Sequence, residues 1–298
     1  MRKHIFTIIL PLAVMGMLAT SCSKDEDYLD VELSDPTDNF IPKADDDSET
    51  AQLRNQFKEE TGSYLLFNDT IQHYLLGKDV NGELLYFNEL LDVEYSTTSA
   101  NPTTKPYTYT YLKTFERQSQ AVEFLKEYII SHFTRSLAPF SYLLVNTISG
   151  KDEWGNNTKP YAVAGERSIA LAMGELNKLT TAASKKKFAN KHLLIIVGKI
   201  ASDHSSYFSD FKSVSNGRYG TNFSIPDGMT KDQVGREYGF ISVPGVYLPT
   251  YEQDIKAFAS VILTYTDSQI EAKYADYPLI VKKAKIFREA LINMGYIF

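Results

Sequence analysis

Residues 119–134, SQAVEFLKEYIISHFT, and residues 140–148 just after them, FSYLLVNTI, decide the fold class of this chain. In the first stretch Val122, Leu125 and Ile129 recur at intervals of three and four, the spacing of one helical stripe, and Ser119 is placed to cap its start. The second stretch is short, apolar and bounded by turn residues, as strands are. The same alternation appears on both sides. Upstream, residues 51–60 (AQLRNQFKEE) set Leu53 and Phe57 four apart on a short helix, and residues 63–67 (SYLLF) follow Gly62 as a strand. Downstream, residues 167–174 (RSIALAMG) read as another strand. Three helices follow, over 185–201, 251–264 and 279–293, with Gly295 as the C-terminal cap of the last. Strands early and helices late, without strict alternation, predict an α+β fold, a small mixed sheet followed by a helical C-terminal half.

The chain has 298 residues, of which 43% are hydrophobic, and a formal net charge of -6. Residues 50–298 suffice for a single domain with a proper core, and neither an internal linker nor a repeat interrupts them. An acidic balance without a basic aromatic patch argues against nucleic acid as a partner; Lys185-Lys186-Lys187 reads as a solvated turn between a strand and a helix.

The first residues carry an address. Arg2 and Lys3 precede an apolar run over 5–19 (IFTIILPLAVMGMLA), too short for a span of about 20 residues and suited to a signal sequence. Thr20 and Ser21 then lead to Cys22, the only cysteine of the chain. A lone cysteine at the end of such a run suits acylation better than packing. ATSC resembles the bacterial lipobox, although Ala19 stands where leucine is usual and Leu18 lies one place back. Residues 1–21 are thus expected to be removed, which takes the formal charge to -8 with the loss of Arg2 and Lys3. Ser23-Lys24-Asp25-Glu26-Asp27 resembles the acidic export signal that sends Bacteroides-type lipoproteins to the outer face of the outer membrane. Residues 22–49 are rich in Asp and poor in apolar side chains, the composition of a tether.

Along the mature chain the succession of segments resembles one family, the zinc metallopeptidase lipoproteins of Bacteroides-type bacteria, also described as substrate import-associated zinc metallohydrolase lipoproteins. The likeness rests on Asp35-Pro36-Thr37-Asp38 in the tether, on FLKEYIISHF (124–133) followed by YLLVNTI (142–148), and on RSIALAMGELNKL (167–179). It continues through the aromatic loop Tyr207-Phe208-Ser209-Asp210-Phe211, the turn Gly239-Phe240-Ile241-Ser242 and the helix that starts near Tyr251. The resemblance implies a zincin-like, gluzincin-type single domain, a zinc cofactor, and partners in a TonB-dependent nutrient importer and its surface lipoproteins.

The metal motif itself is missing. A zincin needs histidines at i and i+4, so that both imidazoles leave one helix face toward the metal, and a glutamate beside the first to accept the water proton. Taking register from the aromatic loop, the resemblance puts the first histidine at Ile195, the glutamate at Ile196 and the second histidine at Lys199; Gly198 alone keeps family character. Register from the Gly239 turn and from Ser260 puts the third, acidic ligand at Ala257. Two isoleucines and an alanine offer no donor and a lysine ammonium repels a cation, so the expected cofactor of this chain is none. That absence is independent of register, because none of His4, His73, His132, His192 and His204 is followed by glutamate. The emptied isoleucine pair is expected to be core, with Lys199 snorkelling out or paired with a carboxylate.

A rearranged metal site would have to draw on His192, Asp203, His204, Glu252 and Asp254, and it defines the alternative, an active hydrolase. The leading expectation is a surface-exposed, lipid-anchored, catalytically degenerate relative of the metallopeptidases, with Cys22 and the export signal as its functional residues and a peptide or glycan as its ligand. An unrelated glycan-binding protein is the third reading, and a β-sandwich would favour it.

Overall fold

The computed structural model describes residues 38–94, 107–152 and 155–298. Cys22 and the export signal Ser23 to Asp27 lie outside the described residues. Among the described residues, no helix is long and apolar enough to cross a membrane.

The chain divides into two compact units. One contains Ile71–Glu89, and the other contains Asn39–Thr70 and Leu90–Phe298. The larger begins with α1 (Glu49–Thr61), capped by the Ser48 hydroxyl on the Ala51 N–H and closed by Gly62 at φ 80°. It leads into β1 (Tyr64–Leu66). The smaller unit carries a ribbon of β2 (Thr70–Lys78) and β3 (Leu84–Leu90). No linker composition marks the ends of this ribbon in the sequence.

β4 (Thr108–Tyr111) returns to the larger unit and is followed by α2 (Phe115–Tyr128). Val122, Leu125 and Ile129 form the expected buried stripe. The cap differs: Thr114, not Ser119, accepts the Arg117 N–H, and the helix starts five residues earlier than a Ser119 cap predicts. Both hydroxyl residues precede apolar positions of the stripe, and only the path of the preceding strand chooses between them.

β5 (Ser141–Lys151) is the spine of a six-stranded sheet. It pairs in parallel with β1 and with β8 (Ser168–Ala172), and antiparallel with β4 and with the short β6 (Asn157–Thr158). β7 (Ala162–Ala164) joins β8 antiparallel and ends the strand order. Tyr142, Leu143, Leu144 and Val145 are fully buried, as expected for an apolar strand paired along its length and covered on both faces. Leu143, Leu144 and Val145 each contribute roughly 1.5–3 kcal/mol on burial. Inside the sheet the Ser141 and Ser168 hydroxyls bond each other at 2.7 Å, which satisfies two polar groups that water cannot reach.

The helical half starts with α3 (Ala182–Asp203), whose Thr181 and Ser184 form a capping box. Lys185-Lys186-Lys187 therefore lies in the first turns of α3 and not in a turn before it. The capping box fixes the start, and the lysines occupy the surface before Phe188 and Ala189 enter the core. The short α4 (Ser209–Val214) and α5 (Lys231–Glu237) lead to α6 (Tyr251–Thr264), α7 (Asp267–Lys273) and α8 (Pro278–Met294). One contiguous apolar core joins α1, α2, the sheet and the late helices. The predicted α+β class and the order of strands before helices hold.

Gly295 caps α8 at φ 105°, and a Cβ there would lie 2.1 Å from the Thr134 Oγ1. Gly295→Ala meets both left-handed strain and a clash, and we expect it to lower the unfolding free energy by about 1–3 kcal/mol in urea titration.

Candidate functional site: the cleft between α3 and α6

Two long helices and the last strand of the sheet enclose a cleft of about 520 Å³. α3 supplies Leu194, Ile195, Gly198, Lys199 and Ser202, while α6 supplies Tyr251, Glu252, Ile255 and Lys256. β7 forms the back through Ala162, Val163 and Ala164, and Glu94 and Tyr107 stand at the rim. The volume falls in the range of ordinary ligand sites. Helical geometry selects the lining: 194, 195, 198, 199 and 202 share one face of α3, as 252, 255 and 256 share one face of α6. Gly198 leaves the floor open, since a Cβ added there would meet nothing within 4 Å.

The rim is held by a close backbone approach. A Cβ on Gly165 would lie 1.6 Å from the Val93 carbonyl oxygen, so only glycine lets the segment leading to Glu94 pass so near β7. Burial, then the neighbouring Asp92, raise the Glu94 carboxyl above the usual range, against the opposing pull of Lys199. Lys199 is itself held by Asp203 one turn on, its Nζ 2.5 and 2.6 Å from the two carboxylate oxygens. The cleft thus has an apolar floor and charges of both signs, Glu94 and Glu252 with Lys199 and Lys256.

Of the four positions at which the resemblance places metal-site residues, Ile195 and Lys199 line the cleft and Ile196 is buried in the core, so only one isoleucine of the pair expected in the core is fully withdrawn from water. Lys199 has the carboxylate partner the sequence suggested. Ala257 does not line the cleft; the α6 residues that do are Tyr251, Glu252, Ile255 and Lys256. Ala257 is turned by about 100° from Lys256. The register drawn from the Gly239 turn could not fix that rotation.

The five residues considered for a rearranged site are committed elsewhere or stand apart. His192 is buried, with Nδ1 3.0 Å from the Phe188 carbonyl and Nε2 3.0 Å from the Ala172 carbonyl, and burial lowers the pKa of its ring. Asp203 holds Lys199, His204 is exposed at the end of α3, and Glu252 is exposed at the cleft. Among the described residues there is no group of three or more His, Cys, Asp or Glu able to hold a metal ion.

Asp254 belongs to a different construction, which sequence reasoning missed. It is buried, on the side of α6 turned about 200° from Glu252. Its Oδ2 accepts from the Lys283 Nζ of α8 at 2.5 Å and from the Tyr219 hydroxyl at 2.9 Å. Lys283 also donates to the Ser215 Oγ at 3.0 Å, and Ser215 donates on to the Tyr238 carbonyl at 2.8 Å. The ring centroids of Phe211, Phe240 and Phe258 lie 4.4, 4.9 and 4.9 Å from the ammonium. Burial pushes the Asp254 carboxyl up to about 6 despite the attraction of Lys283, and it pulls Lys283 below the ordinary lysine value despite Asp254. The pair therefore costs desolvation on both sides and acts chiefly as a positional lock on α6. Nothing in PLIVKKAKIF singles out Lys283, and Asp254 stands out in the sequence only as a candidate ligand of a rearranged metal site, so only the tertiary fold reveals the two as partners.

No family model matches the chain, and no curated protein matches it. A crystal structure described as a "putative zinc-binding metallo-peptidase" from Bacteroides caccae is similar to it at 15% identity and a TM-score of 0.42, over 83% of this chain and 88% of that one.

If the lock sets the rotation of α6, Lys283→Met leaves a buried carboxylate unpaired and costs about 3–5 kcal/mol, whereas adding Asp254→Leu restores most of it. Chemical denaturation of the two single variants and the double variant measures this. Additive losses would show that the two side chains act separately.

Proposed function

We propose that this chain is a lipid-anchored outer-membrane protein, exposed at the cell surface, that binds an extended polypeptide in the cleft between α3 and α6 without cutting it. In this reading it is a catalytically degenerate relative of the zinc metallopeptidase lipoproteins, a zincin-like scaffold retained as an accessory component of a TonB-dependent nutrient importer. The observation that carries the reading is the lining of the cleft. Where the sequence resemblance calls for two histidines there stand Ile195 and Lys199, and the facing surface of α6 offers Glu252, Ile255 and Lys256. Glu94 at the rim and Glu252 on α6 bring two carboxylates beside two lysines, short of the three or four donors that a zinc site needs. The same lining suits a chain. β7, last in its sheet, offers backbone groups along one wall, the isoleucines and alanines offer an apolar floor, and charges of both signs border it. The anchor rests on Cys22 and the acidic residues after it, together with the short apolar run before it.

Binding and cutting separate in one set of measurements on the mature protein. After incubation with zinc and dialysis, elemental analysis should find far less than one zinc per chain. Mixed with a casein digest, the protein should retain apolar peptides whose masses do not change. Ile195→Lys, which puts a third ammonium in the cleft, should weaken that retention at least tenfold. One zinc per chain, or newly cut peptides, would sink the reading.

The anchor is checked separately in a Bacteroides host. Labelled palmitate should enter the wild-type chain and not Cys22→Ser. Replacing Asp25, Glu26 and Asp27 by alanine should abolish digestion of the protein by protease added to intact cells, while the lipid label remains.

A further inference from the structure

The ribbon of β2 and β3 leaves apolar side chains open to solvent on both of its faces. Along β3, Leu84, Leu85, Tyr86, Phe87 and Leu90 are 52, 49, 44, 36 and 59% exposed. Successive side chains of a strand alternate, so Leu84, Tyr86 and Leu90 face one way and Leu85 and Phe87 the other. Each face carries one aromatic pair across the ribbon. His73 stacks on Tyr86 at 5.0 Å on one, and Tyr74 lies against Phe87 at 5.0 Å on the other.

Among the described residues, β3 pairs with β2 alone. Among those residues its other side is a sheet edge, seven residues long and free of proline. Such an edge is a template for another strand, and natural sheets usually blunt it with charge, proline or a bulge. Here the charges stand at the ends, Glu83 before the strand and Glu89 near its close, while residues 84–88 carry none. A two-stranded ribbon is itself marginal in water and gains from added strands.

We infer that β3 is a self-association edge and that its occupant is β3 of a second copy of this chain. The two strands run antiparallel about a two-fold axis at Phe87 and join the two ribbons into one four-stranded sheet. Charge and length select this register. With Phe87 on the axis all seven residues are paired: Leu84 meets Leu90 of the second copy, Leu85 meets Glu89, Tyr86 meets Asn88, and the two Phe87 rings meet each other. No like charges stand opposite. Moving the axis to Tyr86 sets Glu83 against Glu89, a directly opposed like pair that costs stability. Aromatic and aliphatic cross-strand pairs are the favourable ones, and the Phe87 register supplies them at its centre and at both ends. The contact is isologous, so it closes at a dimer.

Sedimentation equilibrium of the mature chain with Cys22→Ser, across the micromolar range, should show a monomer–dimer equilibrium. Phe87→Lys opposes two ammonium groups on the axis and should weaken the dimer at least tenfold. Val80→Lys, in the turn outside the pairing, should leave it unchanged. Far-UV circular dichroism of both variants should match the parent, as expected of exposed positions. Phe87→Cys in the same background should form a disulfide-linked dimer under mild oxidation, since opposed residues come within bonding reach. A chain that stays monomeric throughout would leave the edge to a strand of some other protein and overturn the inference. So would a dimer that Phe87→Lys leaves intact, or one that Phe87→Cys fails to cross-link. None of these outcomes bears on the cleft, so the inference stands or falls apart from the proposed function.

Discussion

The larger unit depends on one strand. β5 pairs with β1, β4, β6 and β8, and its residues 142–145 are wholly withdrawn from water. A strand so placed must be apolar on both faces, because every side chain points into a covered layer. It must also have all its backbone groups taken up by neighbours, because an unpaired buried N–H or C=O costs as much as a lost hydrogen bond. YLLV (142–145) meets the first condition, and the four partner strands meet the second. α2 packs its stripe of Val122, Leu125 and Ile129 into the same core, and α3 brings Phe188, Leu193 and Val197 to it. The position of β8 sets β7, and β7 sets the back wall of the cleft.

The second constraint acts on α6. A helix packed by apolar contacts alone can settle in more than one rotation, since aliphatic contact has little direction. A buried ammonium does have direction. Lys283 is met by one carboxylate and one hydroxyl and surrounded by aromatic rings. Asp254 can meet it only if α6 turns Glu252, Ile255 and Lys256 the other way, into the cleft. Replacing such a pair by apolar side chains often costs nothing in stability. What it supplies here is the orientation of the wall opposite Ile195.

The legible part of the sequence was periodic or punctuated. The stripe of α2, the extent of α6, the apolar run of α3, the strands β5 and β8 and the Gly295 cap are legible, because burial on one face or both leaves a pattern of period 3.6, of period 2 or of none. β2, β3 and β4 did not. Their apolar residues are exposed or half-buried, so no core imposed a pattern on them, and residues 70–90 mix polar and aromatic side chains without a stripe. β7 is three residues long, below the length at which any period can be seen. The cap of α2 was misplaced because Thr114 and Ser119 are equally good hydroxyl caps as sequence.

Taken alone, the sequence determined that no HExxH motif exists, that the only cysteine follows a signal-like run, and that the chain combines early strands with late helices. Each is a matter of which residues are present and in what order, and folding cannot alter it. The tertiary structure alone decided that Ile195 and Lys199 open onto a cleft while Ile196 is core, and that α6 answers them with residues 252, 255 and 256 instead of 257. It alone joined Asp254 to Lys283. Those facts depend on helix rotation and on contacts between residues 29 apart or more. Such choices are made by the packing of the whole unit, and no local run of residues encodes them.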